Sequence, residues 1–265
     1  MKKLETILLD IDKRHVATIT LNRVEVHNAF NEKMIAEINE TVSSLGKEIA
    51  IRAIILKGAG KLFSAGGDLN WMKKAATYTE AENWDDAVKL SDMFNSLNSV
   101  SKPLIVLVQG AAMGGATGLI SCADIAIAVS DTKFAFSEVK LGLIPATISP
   151  FVLAAIGARA ARRYFLTGER FDGNAALNMG LVHELVDSAD QLDAAGEAII
   201  SQILTSGPEA VETSKKLIKD IAGQEINTEL RHKTAEDIAK RRACAEGQEG
   251  LSAFLEKRQA SWTQS

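Results

Sequence analysis

Three stretches of this 265-residue chain put unusual residue types where chemistry could be done. Two are glycine turns: KGAGKLFSAGGDL, after the apolar run Ile54–Leu56, and GAAMGGATGL, after Leu104–Val108. Each follows a run that reads as a buried strand and opens a run that reads as a helix. The first N–H groups of such a helix have no intrahelical partner. Glycine there serves a turn that needs positive φ, and it also lets a carbonyl approach the bare main chain. Two such ends brought together would offer two donors to one oxygen, which stabilises an oxyanion on an acyl group by about 3 kcal/mol per donor. Neither turn reads GxGxxG, which weakens a dinucleotide reading. The third stretch is KFAFSEVKLGLIPATISPFV, where Glu138 sits among Phe134, Phe136, Val139, Leu141, Leu143 and Ile144. A carboxyl in apolar surroundings has a raised pKa and exchanges protons near neutral pH. An outward orientation, or pairing with Lys133 or Lys140, would make it an ordinary surface group.

Alternating strand and helix patterns must position these pieces. HVATITLN alternates as a half-buried strand does, and RAIILKG, LIVLVQG and DIAIAV are short apolar runs suited to strands buried on both faces. Between them, NEKMIAEINETVSSLGKEI and WDDAVKLSDMFNSLNSV carry apolar residues at helical spacing, the first with Asn31 as a cap. Strands alternating with helices place the chain in the α/β class. After about Asp187 the strand signal ends. Two amphipathic helices broken at Gly207-Pro208 follow, then two more with a break expected at Gly247–Gly250. The chain therefore divides into an α/β core, residues 1–190, and a helical C-terminal region, residues 191–265.

Composition narrows the partners. Hydrophobic residues make up 46%, charged residues 24%, and the formal net charge is −4, which suits a soluble globular protein and argues against nucleic acid. Cys122 and Cys244 are the only cysteines, too few for a disulfide framework and without a zinc pattern. Glu5, Asp10 and Asp12 interrupt the N-terminal apolar residues, so no signal peptide is read and a cytoplasmic location is expected. The long apolar stretch Pro103–Val129 is interrupted by Gln109 and Asp124 and turns at Gly110. It reads as strand, glycine turn and helix rather than a membrane span.

The pieces ATITLNR, HNAFN, FSAGGDL, VQGAAMGGATGL, ADIAIAVSDTKFAFSEVKLGLIP, YFLTGERFDGNAALNMGLVHELV and GLSAFLEKR occur in this order along the chain. In order and spacing the chain resembles the enoyl-CoA hydratase/isomerase family, the crotonase superfamily, over essentially its whole length. Within that family, SAGGDLNWM together with IPATISPFV is most similar to the methylglutaconyl-CoA hydratase branch, which acts in leucine and acyclic terpenoid degradation. The resemblance implies a crotonase-like α/β fold, a spiral of ββα turns whose helical C-terminal region packs homotrimers, often paired as dimers of trimers. It implies acyl-CoA thioesters as ligands, with coenzyme A arriving as part of the substrate and no other cofactor or metal.

Residue by residue, the resemblance puts one oxyanion N–H on Gly67 and the other on Gly115, with Gly66 serving the turn. Val26 and Ala65 match positions whose backbone groups contact the adenine end of coenzyme A. Asp68, Leu69, Asn70 and Gly118 complete the expected substrate-binding set. Asp68 also reads as a helix-start acid. Lys257 matches a lysine that reaches the coenzyme A phosphates, and it also reads as part of a solvated helix face. Glu138 matches the second of the two glutamates that hydratases of the family use, whereas the position of the first is Gly118. Three readings stay open. In a hydratase, Glu138 both activates the water and returns its proton to Cα, the missing carboxylate being replaced by another residue or by the substrate's own carboxylate, and the space freed at Gly118 admits a bulkier or charged acyl tail. Alternatively, Glu138 alone moves a double bond in an isomerase. Finally, the chain is a non-catalytic coenzyme A-binding member.

Overall fold

The computed structural model describes residues 4–263. Strand β1 (Ile7–Ile11) turns through His15, at φ 62°, into β2 (Val16–Leu21), and the two pair antiparallel. β3 (Ala53–Gly58), β4 (Leu104–Val108), β6 (Ile125–Val129) and β8 (Glu184–Val186) then add in parallel, giving a six-stranded sheet in the order β1-β2-β3-β4-β6-β8. A second, smaller layer runs beside it. There Phe30 bridges Gly67, Ser64 bridges Ala112, β5 (Ala111–Met113) pairs in parallel with β7 (Lys133–Ala135), and Phe134 bridges Phe171. Successive turns of the chain thus contribute one long strand to the first layer and a short extended piece to the second. This is the ββα spiral that the resemblance implied.

Helices close the spiral. α1 (Glu32–Lys47) starts where Asn31 Oδ1 accepts the Met34 N–H at 2.9 Å, as its sequence signals. α3 (Glu80–Ser99) starts at Thr79, which exchanges hydrogen bonds with Glu82 in a capping box. Between β3 and α3 lies the short α2 (Leu69–Ala75), and after β5 the short α4 (Gly115–Ser121). α5 (Ser149–Thr167), kinked at Gly157, and α6 (Gly173–Met179) lead to β8.

The period-2 pattern of the strands sorts the core into two faces. Ile54, Leu56, Leu104, Val106 and Val108 pack under Met34, Ile38, Val42, Met93, Phe94 and Leu97 of α1 and α3. Ala53, Ile105, Leu107, Ile127 and Val129 pack against Leu192 and Ile200 of α7 (Leu192–Leu204). Each large side chain so buried contributes about 1.5–3 kcal/mol. This placement of α7 differs from the division at residue 190. A parallel sheet needs cover on both faces, and α7 supplies it for one of them. The helical layer that stands beyond the sheet therefore begins with α8 (Pro208–Ile221).

α8 docks through ions: the Lys102 ammonium, almost wholly buried, pairs with Glu212, and Lys215 pairs with Asp124 at 2.6 Å. α9 (Thr228–Ala243) and α10 (Ala245–Leu255) follow. The break between them falls at Cys244, not at Gly247–Gly250. Cys244 caps α10, its Sγ accepting the Gly247 N–H at 3.3 Å. Gly247 lies inside α10 because a Cβ there would stand 1.9 Å from the Arg241 carbonyl. Close packing on the end of α9, rather than chain breaking, is what demands glycine. No helix among the described residues is long and apolar enough to cross a membrane.

Candidate active site

Beyond β3 the chain runs through Ser64, whose N–H donates to Ala111 and whose carbonyl accepts from Met113. Gly66 follows at φ 88°, and a Cβ on it would lie 2.5 Å from the Met113 carbonyl oxygen. Only glycine allows the two turns to touch there. At Gly67 the chain bridges Phe30 in parallel. The bonds of that bridge run from the Phe30 N–H to Gly66 (2.6 Å) and from the Asp68 N–H to Phe30 (2.8 Å). The flanking residues supply them, so the Gly67 N–H faces away from Phe30. It donates to no described residue, and Gly67 is half-buried.

The second turn is fastened by the Gly114 N–H, which donates to Ala135 of β7 at 2.9 Å. Gly114 takes φ 52° and ψ −124°, and Gly115 opens α4, where its N–H has no intrahelical acceptor. Gly115 is half-buried, and a Cβ on it would lie 3.2 Å from the Phe30 ring. Phe30, fully buried, therefore pairs with the Gly67 turn through its main chain and packs on the Gly115 turn through its ring.

Glu138 begins a one-turn 3₁₀ helix, Glu138–Leu141, just after β7. A Cβ on Gly114 would lie 3.3 Å from Glu138 Oε1, so the carboxyl faces the second glycine turn. Its Oε2 is buried and accepts no hydrogen bond from any described residue. Burial raises its pKa above the usual carboxylate range, and only its own main-chain N–H works against that. Neither Lys133 nor Lys140 forms an ion pair with it among the described residues. Its surroundings are less apolar than the sequence suggested. Phe134 and Phe136 are buried, but Leu141, Leu143 and Ile144 point outward at 60%, 55% and 75% exposure.

The expectation of free space at Gly118 is overturned. Gly118 is buried in α4, and a Cβ there would lie 2.4 Å from Ile148 Cγ2 and 2.8 Å from Phe94 Cε1. Hydrocarbon from α3 and from Ile148, at the start of α5, fills the place, so Gly118 leaves no free space there for an acyl tail. Glycine-rich sequence could not show this, because the filling side chains come from remote elements.

Val26 and Ala65 come together where the exposed His27 accepts the Ala65 N–H at 2.9 Å. Asp68 caps α2, its Oδ1 accepting from Asn70 (2.7 Å) and Trp71 (3.2 Å). Leu69 and Asn70 are exposed at the head of that helix. Trp71 Nε1 donates to Asp86, tying α2 to α3, and Met72 lies alongside Gly67. Lys257 is exposed just past α10, and no hydrogen bond or ion pair among the described residues joins it to the glycine turns. Sequence reading missed Arg23, which pairs with Asp68 at 2.9 Å. The only signal for it was an acid needing a cation somewhere.

Two unpaired main-chain donors beside one desolvated carboxyl can polarise a carbonyl and move a proton at the neighbouring carbons. The enoyl-CoA hydratase/isomerase family model matches residues 12–265. A short-chain-enoyl-CoA hydratase of Clostridium acetobutylicum is 30% identical over 258 residues, 97% of this chain and 97% of its own. A trans-2-decenoyl-acyl-carrier-protein isomerase of Streptococcus mutans is 28% identical over 264 residues, 97% of each. The crystal structure of an enoyl-CoA hydratase from Shewanella pealeana superposes with a TM-score of 0.94 at 44% identity, covering 98% of this chain and 97% of that one. The chain belongs to the enoyl-CoA hydratase/isomerase family.

Proposed function

We propose that this family member adds water across the 2,3 double bond of an acyl-CoA thioester whose acyl group carries a carboxylate of its own, as methylglutaconyl-CoA does. The observation that carries the reading is Glu138 Oε2, buried and unpartnered, beside a turn that also presents the Gly115 N–H. The Gly67 and Gly115 N–H groups hydrogen-bond the thioester oxygen. Glu138 takes a proton from water, the water oxygen bonds to Cβ, and the π electrons move onto the thioester oxygen as an enolate. A proton returns to Cα as the carbonyl re-forms, so one water is added and Glu138 is again ionised. Enolate charge develops only along the reaction path, so the two donors stabilise the transition state more than the substrate.

The hydrocarbon around Gly118 supports a carboxylated substrate. A side chain at position 118 would find its place filled, so this reading gives the second polar group to the acyl chain. The tail then runs past Trp71 and Met72 rather than over α4. Main-chain groups of Val26 and Ala65, the Asp68–Asn70 segment and Lys257 hold the coenzyme A portion, and no further cofactor takes part. Exposed Ile218, Ile226, Phe254 and Leu255 on the C-terminal helical layer support assembly into trimers. The two free cysteines suit a reducing, cytoplasmic location.

A second reading, double-bond migration, is favoured by Glu138 being the one carboxyl among the described residues with a buried oxygen that lacks a partner. One carboxylate can remove a proton at one carbon and deliver it at another. The test is an acyl-CoA panel containing crotonyl-CoA, methylglutaconyl-CoA and a 3-enoyl-CoA, followed by absorbance and mass. Hydration erases the conjugated chromophore and adds one water to the mass, fastest on methylglutaconyl-CoA. A chromophore that appears at unchanged mass selects the isomerase. Inertness toward the whole panel rejects both.

A further inference from the structure

The Gly67 N–H belongs to the peptide that joins Gly66 to Gly67, and the bridge to Phe30 holds Gly67 from both sides: the carbonyl of that peptide accepts from the Phe30 N–H, and the next peptide is held through Asp68. Asp68 is held on every side. Its N–H donates to Phe30, its Oδ1 caps α2 through Asn70 and Trp71, and its Oδ2 pairs with Arg23 Nη2 at 2.9 Å. The pair is shielded, with side-chain exposures of 15% for Arg23 and 6% for Asp68. Solvent therefore screens it little, and loss of either partner strands a buried charge.

The other arm of the guanidinium, Nη1, donates to the Ala29 carbonyl at 2.6 Å. Ala29 precedes Phe30, and Phe30 is the main-chain partner of the Gly67 turn. Arg23 thus spans the parallel bridge, gripping one strand just before Phe30 and the other just after Gly67. Its own main chain is anchored, because the Arg23 N–H donates to Asn28 Oδ1 at 2.9 Å. Asn28, fully buried, ties that segment to the Ala59, Leu62 and Phe63 carbonyls through its Nδ2. A planar fork with fixed nitrogens suits this two-point grip, whereas an ammonium is a point charge.

We infer that Arg23 is a positioning residue for the oxyanion site: it clamps the Phe30–Gly67 bridge so that the Gly67 N–H keeps its aim at the thioester oxygen. Arg23 acts through Asp68 and Ala29 and touches no substrate. The inference rests on the reading of Gly67 as an oxyanion donor. A donor misplaced by about 1 Å loses much of its effect, on the order of a 10- to 100-fold fall in kcat.

The test uses crotonyl-CoA labelled with carbon-13 at the thioester carbonyl, bound to Glu138→Gln, with its carbonyl stretch read by infrared difference spectroscopy. If the oxyanion reading holds, binding lowers the stretch relative to free crotonyl-CoA. Adding Arg23→Met returns the stretch toward the free value at saturating ligand, and Arg23→Lys does so in part. In the background that retains Glu138, Arg23→Met lowers kcat far more than it raises KM. A fully lowered stretch in folded Arg23→Met overturns the positioning role and leaves the oxyanion reading intact. Should Arg23→Met not fold, an unchanged stretch in Arg23→Lys overturns it equally. Should crotonyl-CoA not bind, methylglutaconyl-CoA labelled at the same carbonyl takes its place, and absence of any shift in Glu138→Gln with the bound ligand, or of binding by both, overturns the oxyanion reading and this inference with it.

Discussion

The carboxyl of Glu138 faces the bare backbone of Gly114, so close that a Cβ on Gly114 would lie 3.3 Å from Glu138 Oε1. A larger residue there would crowd the one carboxyl among the described residues that has an unpartnered, buried oxygen. The next residue, Gly115, opens α4 with its N–H unpaired by the helix. An acceptor waiting for a proton thus faces one residue of the turn, and the next residue carries a donor waiting for an oxygen.

Replacing Glu138 by Gln should lower turnover by about 10²- to 10⁴-fold while leaving coenzyme A affinity nearly unchanged. The same change should stabilise the fold. The folded-state pKa of Glu138 is raised by burial, so its charged form carries a penalty that is full above that pKa and vanishes below the unfolded value of about 4.3. Calorimetry should show Tm of Glu138→Gln higher than wild type at neutral pH, the difference closing as pH falls toward 4. Undiminished turnover would remove Glu138 from the reaction.

The raised pKa also sets the acid limb of the rate profile. Water activation needs the ionised form, so kcat/KM should fall as pH drops through a value above the ordinary glutamate pKa of about 4.3. Initial rates across pH at low substrate measure that limb. A midpoint at or below the ordinary value would contradict the desolvated setting of the carboxyl.

The two adjacent glycines of the first turn should behave differently. Gly66→Ala puts a side chain at φ 88° and against the Met113 carbonyl at 2.5 Å, both main-chain constraints. It should cost about 2 kcal/mol or more. In Gly67→Ala the new methyl meets Met72 at 3.5 Å and the Trp71 ring at 3.9 Å, ordinary contacts, so stability should change by less than about 1 kcal/mol. Urea unfolding of the two variants separates them, and equal costs would show that the turns do not touch as described.

Gly118→Ala should destabilise by about 1–3 kcal/mol through overpacking against Ile148 and Phe94. Ile148→Ala removes the offending Cγ2, so the double variant should be more stable than the sum of the two single losses. Gly118→Glu, by contrast, should fail to fold and gain no hydration of crotonyl-CoA. A folded Gly118→Glu with such a gain would mean that the place is open after all.

Much of the frame is legible before any coordinates. Asn31 announces α1, Gly207-Pro208 separates α7 from α8, and apolar runs ending in glycine mark β3 and β4. These signals act over one to four residues, within reach of a periodicity or a cap. The break at Cys244 was misread because glycine at 247 answers to the neighbouring Arg241 carbonyl, not to the local helix. Leu141, Leu143 and Ile144 were misread for a related reason: apolar composition near Glu138 does not say which side chains turn inward.

By itself the order of residues determined the α/β class, the family, and which glycines and which glutamate were worth watching. These follow from local preference and from motifs that keep their spacing along the chain. Tertiary structure alone decided that Phe30 joins the two glycine turns, that Arg23 clamps one of them through Asp68, and that Phe94 and Ile148 fill the place beside Gly118. Each of these pairs residues from different turns of the spiral. Such contacts exist only once the layers have stacked, because burial and close packing are properties of the assembled core and of no segment within it.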